Sequence, residues 1–195
     1  MRKISTRKDE IKKQKRNTLI ISIILIVVIS ASVFGIVANS FGESEESKEV
    51  FYRGYTFFPS GSFWALNQGD FQFIFSNNPE ELDNLTFESN DLNLLPAYAQ
   101  KVLYLYSEDP GSSYQIYQNL DRFTVRFQQA CLQEDQEKCL EEVPFKNCTD
   151  NFIIVRKSNS NKILQQDNCV FIEGKSEDLI KLTDVFLLKI LGIRD

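Results

Sequence analysis

The chain has 195 residues, with 22 Lys/Arg against 27 Asp/Glu, four cysteines and no histidine. Without histidine, Ser-His-Asp and Cys-His catalysis and histidine-ligated metal centres are excluded. The charge is divided by segment: residues 1–17 carry a net +6, residues 18–38 no charge, and residues 39–195 a net −11.

The uncharged stretch from Thr18 to Ala38 would span roughly 31 Å as a helix, close to the bilayer core of about 30 Å. Its run Leu19-Ile20-Ile21-Ser22-Ile23-Ile24-Leu25-Ile26-Val27-Val28-Ile29 is apolar on all faces. A soluble amphipathic helix shows a polar stripe instead. The sequence therefore predicts a transmembrane helix over 18–38. Its length exceeds the usual apolar core of a cleaved signal peptide, so it reads as an uncleaved anchor. Cleavage after Ala38 is the alternative, and either reading exports residues 39–195. Arg2, Lys3, Arg7, Lys8, Lys12, Lys13, Lys15 and Arg16 precede the span, and Glu43, Glu45, Glu46 and Glu49 follow it. The positive-inside rule places residues 1–17 in the cytoplasm and the acidic part outside the cell membrane. Anionic lipid headgroups are the nearest partner of the basic tail. The net −11 beyond the membrane opposes nucleic-acid binding.

Residues 39–50 read as an acidic stalk, leaving 51–195 as one extracytoplasmic domain. Ten of the 24 aromatic residues fall between Phe51 and Phe75. Period-two alternation there predicts an antiparallel meander of three strands, near 51–58, 62–67 and 71–76. Tyr55, Phe63 and Trp64 form a candidate aromatic surface, because ring faces suit stacking against sugars. Core packing of the meander is the favoured explanation of the same residues. Asn78-Pro79-Glu80-Glu81 starts a short helix. Lys101–Tyr106 reads as a strand, and a helix follows from about Ser113 to Cys131, with Ile116, Leu120, Phe123, Phe127 and Ala130 on one face.

All four cysteines, Cys131, Cys139, Cys148 and Cys169, lie in the exported part. An even count there reads as two disulfides, and four cysteines permit three pairings. Cys131–Cys139 closing a helix end and Cys148–Cys169 joining a loop to a strand is the favoured set. The spacings of eight, nine and twenty-one do not suit a zinc site. Asn84-Leu85-Thr86 and Asn147-Cys148-Thr149 are glycosylation sequons, making Asn84 and Asn147 candidate acceptors. Strands are expected at Phe152–Val155 and over Lys162–Glu173, with a break near Asp167-Asn168. Ser176-Glu177-Asp178 starts a last helix with Leu179, Leu182, Phe186 and Ile190 buried, Asp184 on its polar edge and Gly192 as its stop. The fold class predicted is α+β: an antiparallel meander and further strands packed with two main helices, preceded by one transmembrane helix.

No Gly-rich phosphate loop and no cofactor motif occurs. Glu80/Glu81, Glu141/Glu142 and Glu177/Asp178 are carboxylate pairs that read as solvated surface. The stretches Asn168-Cys169-Val170-Phe171-Ile172-Glu173-Gly174 and Leu179 to Ile193, with Tyr52-Arg53-Gly54-Tyr55, Trp64 and Pro79-Glu80, resemble uncharacterised single-pass membrane proteins encoded in small archaeal genomes. The resemblance covers about residues 50–193. It implies an archaeal envelope protein and brings no activity. The expectation is a non-enzymatic envelope module that binds another envelope protein or a glycan. A pilin-like or secretion-apparatus subunit and a carboxylate-dependent hydrolase are the alternatives.

Overall fold

A computed structural model describes residues 15, 17–29, 48–139 and 142–194. The chain divides into two compact units, Met1–Ser47 and Lys48–Asp195. In the first, residues 17–29 form α1. Among the described residues no helix is long and apolar enough to cross a membrane. The remainder of the expected span, nearly all of the basic tail, most of the stalk and Glu141 lie outside the described residues.

The second unit is α+β. Its first sheet is a meander of β1 (Val50–Tyr52), β2 (Tyr55–Ser60), β3 (Phe63–Gln68) and β4 (Phe71–Phe75), antiparallel in that order. It has four strands rather than three. Tyr52 pairs with Tyr55 across Arg53-Gly54, whose φ values of 48° and 90° are those of a tight two-residue hairpin turn. Glycine takes such a φ without penalty, which is why the expected first strand folds back on itself there. Phe57, Leu66 and Phe73 lie opposite one another on the buried face, and Phe75 is buried with them.

The second sheet holds β5 (Glu88–Ser89), β6 (Val102–Ser107), β7 (Arg126–Gln129), β10 (Phe152–Lys157), β11 (Lys162–Gln166) and β12 (Cys169–Gly174), in the order β5-β11-β12-β10-β6-β7. The strands β12, β10, β6 and β7 are mutually parallel, and β11 runs antiparallel to β12. Asp167, with φ 51°, supplies the expected break between β11 and β12. A strand with parallel neighbours on both sides is usually buried on both faces. Accordingly Phe152, Ile153, Ile154 and Val155 are all inaccessible.

The helix α2 (Pro110–Leu120) forms the crossover from β6 to β7, and α3 (Leu179–Ile190) follows β12. The expected helix to Cys131 stops at Leu120. A single turn at Asp121–Phe123 follows, then β7. The β-branched pair Thr124-Val125 and the ladder to β6 override the apolar periodicity that suggested a helix. The helix also starts earlier than expected: the Asp109 carboxylate accepts the Ser112 N–H at 2.6 Å, and Pro110 occupies the first turn.

One core cluster joins the meander, both helices and one face of the second sheet through Phe57, Leu105, Ile153, Ile172, Leu182 and Phe186. On the other face, Tyr104, Phe152, Ile154 and Phe171 pack with Ala130 and Leu132 of the cysteine-bearing segment. That segment carries β8 (Cys131–Leu132) and β9 (Phe145–Lys146), paired in parallel. Cys131 is bonded to Cys139 and Cys148 to Cys169. The first bridge ties down a loop after β7 rather than a helix end. The second fixes the loop before β10 to the start of β12.

Candidate functional site: a groove between helix 2 and the sheet edge

An open hollow lies outside the carboxyl ends of β6 and β7, where open parallel sheets commonly hold ligands. It is a groove of about 550 Å3 lined by Ser107, Glu108, Pro110, Ser113, Tyr114, Tyr117, Phe127 and Gln129. Helical spacing explains the first wall. Pro110, Ser113, Tyr114 and Tyr117 are separated by three or four residues and so share one side of α2. The opposite side carries Ser112, Gln115 and Asn119, all buried. Strand alternation explains the floor: Phe127 and Gln129 point to the same side of β7. Tyr117 and Phe127 meet edge to face, with ring centroids 5.2 Å apart. Tyr114 and Tyr117 remain 58% and 48% exposed, so their rings stand open to a ligand. A smaller hollow of about 230 Å3 adjoins and shares Ser107, Ser113 and Gln129. Cys139 and Val143 wall it.

The groove's electrostatics are mild. Asp109 occupies the cap of α2 and answers the positive end of the helix dipole. Glu108 Oε2 accepts the Lys157 N–H at 2.8 Å. Ser107 Oγ donates to the Asp109 carbonyl at 2.7 Å. Among the described residues no Lys or Arg lines the groove. Such a surface suits an uncharged or apolar ligand that stacks on rings and bonds to Ser113, Gln129 and the tyrosine hydroxyls.

A second polar constellation is buried and structural. Asp184, expected on the exposed edge of α3, is fully inaccessible. Its Oδ1 accepts from Ser76 N at 3.2 Å and Gln115 Nε2 at 3.1 Å. Its Oδ2 accepts from Asn77 N and Asn77 Nδ2, both at 2.8 Å. Asn119 Oδ1 accepts the Ile74 N–H at 2.9 Å, and its Nδ2 donates to the Ile74 carbonyl at 2.8 Å. These side chains replace a neighbouring strand at the edge of β4 and fasten the meander to both helices. Burial pushes the Asp184 carboxyl up to about 7, against the lowering pull of its four donors. The polar-edge expectation failed because the segment between β4 and β5 brings its N–H groups onto α3, which no local pattern records.

The aromatic surface expected at Tyr55, Phe63 and Trp64 is divided between two faces. Tyr55 and Trp64 are half-buried against the main core, whereas Phe63 lies on the opposite, outer face at 36% exposure. Both candidate glycan acceptors, Asn84 and Asn147, are exposed. Asn147 Oδ1 accepts from Thr149 Oγ1 at 2.6 Å. A polar hollow elsewhere contains Glu134, Arg156 and Glu173, and Arg156 pairs with both Glu173 and Asp135. Among the described residues no group of His, Cys, Asp and Glu is placed to hold a metal ion.

The sequence reading missed the groove. Its signal was nevertheless present: two tyrosines, Tyr114 and Tyr117, three residues apart on one side of α2. No family model, curated protein or solved structure matches the chain.

Proposed function

We infer that this chain is a membrane-anchored extracytoplasmic module of the cell envelope that binds a partner, either another envelope protein or a glycan, rather than transforming it. The carrying observation is the groove of exposed Tyr114 and Tyr117 over Phe127, held on the β6–α2–β7 unit. Large open aromatic rings beside polar groups are characteristic of recognition surfaces. Two disulfides and the uncharged run from Thr18 to Ala38 support placement outside the membrane.

Site-specific photocrosslinking in intact cells tests this reading. A photoreactive phenylalanine analogue at position 114 is expected to capture one discrete envelope component. The same group at Phe51, on the outer face of the meander, should not capture it. Equal labelling from both positions, or none from position 114, contradicts the proposal.

A further inference from the structure

The second sheet ends differently on its two sides. One end is β5, two residues long, where Glu88 is ion-paired to Lys162. A strand so short and charged is a poor template for further pairing. The other end is β7, four residues long and hydrogen-bonded to β6 alone. It contains no proline and one charge, Arg126, and it follows Val125, which is 71% exposed. Among the described residues no further strand pairs with it. Among the described residues nothing pairs with its outward main-chain N–H and C=O groups, which can accept another strand.

The aromatic groove runs beside this edge. Tyr114 and Tyr117 wall it from the helix, and Phe127 and Gln129 of β7 itself form its floor. A strand laid along β7 points every second side chain to one side, onto Tyr117 and Phe127. An open edge flanked by a helix-walled pocket is what strand addition requires: main-chain bonds give affinity, and the pocket selects alternate side chains. A sugar ring engages the tyrosines but leaves the β7 edge unpaired. A phosphate or carboxylate meets no cation among the described residues of the groove and faces Glu108 and Asp109 at one end.

We propose that β7 and α2 receive an extended peptide segment of a second protein as a seventh strand of the sheet, with apolar side chains at alternate positions over Tyr117 and Phe127. This rests on the binding role proposed for the same groove. It adds the partner's chemistry and the mode of attachment.

The test uses the full-length chain in lipid nanodiscs and a library of random linear peptides displayed on phage. Selected peptides are expected to share alternating apolar positions. With such a peptide bound, amide hydrogen exchange over residues 125–129 should slow by about tenfold or more, because new ladder bonds protect those groups. N-methylation of alternate peptide amides should weaken binding by about tenfold or more, the loss of one or two hydrogen bonds. Tyr117→Glu should abolish binding, while Phe51→Ser, on the outer face of the meander, leaves it unchanged.

Three results overturn strand addition: no peptide selected, binding insensitive to N-methylation, or a dimer formed through β7 that Tyr117→Glu dissolves. A glycan bound in the groove in place of peptides also overturns it, but leaves the binding role intact. Failure of crosslinking from position 114 removes both.

Discussion

Asp184→Asn tests whether the buried carboxyl on α3 governs how stability depends on pH. In the folded chain burial holds this group near 7, against its ordinary value of 3.8. Between those values the folded chain keeps a proton that the unfolded chain has lost, so stability falls as pH rises. The loss amounts to roughly 4 kcal/mol by about pH 7, from 1.36 kcal/mol for each unit of difference, and is flat above it. Asparagine does not titrate. It keeps one oxygen for two of the four donors and turns its NH2 toward the other two. At about pH 4 the variant should therefore be less stable than the parent by about 1–3 kcal/mol, the cost of unmatched buried donors. At about pH 8 the parent has lost its advantage, and the gap should close or reverse. Urea unfolding of both full-length proteins in detergent, followed by fluorescence of Trp64, measures the difference. The chain has no other tryptophan, and this one lies in the meander that Asp184 fastens. Other titrating groups are common to both proteins and cancel. A gap that stays constant from about pH 4 to pH 8 refutes the reasoning.

Asn119→Ala should cost about 2–4 kcal/mol in the same assay, because the Ile74 N–H and C=O both lose their partner. Gly174→Ala should destabilise by about 1–3 kcal/mol, since a methyl there would collide with Leu182 of α3 and sit 2.7 Å from Asn161 Oδ1. Phe186→Ala, in the centre of the main core, should cost about 3–5 kcal/mol by the same measurement. Replacing Cys148 and Cys169 together with serine opens a loop of 21 residues and should cost about 3 kcal/mol. A midpoint unchanged by that double substitution would show that the bridge constrains little.

Legibility in the sequence followed the range of the interactions. The last helix was readable because Leu179, Leu182, Phe186 and Ile190 repeat at helical spacing and Gly192, with φ 70°, ends it. The meander was readable because one of its faces is buried, which imprints alternation on Phe71, Phe73 and Phe75. The bridges followed the favoured pairing. Phe152–Val155 announced a strand but not its parallel neighbours, because a run buried on both faces carries no direction. The end of α2 was misplaced because Phe123, Phe127 and Ala130 continue its apolar spacing although they pack from other elements. The Asp184 clamp was invisible because it is assembled from segments far apart in the chain, whereas the groove is built within residues 107–129 and left one local sign, Tyr114 and Tyr117 three residues apart on α2. Gln115 and Asp184 are 69 residues apart, and Asn77 and Asp184 are 107 apart.

Export through the membrane is the claim on which the proposed role depends, and counting reactive thiols in fractionated cells tests it most directly. A tagged full-length chain should sediment with membranes and take up no maleimide-polyethylene glycol until it is reduced. After reduction it should gain one addition for each of its four cysteines. A chain recovered in the soluble fraction, with all of its thiols reactive before any reductant is added, would contradict the account.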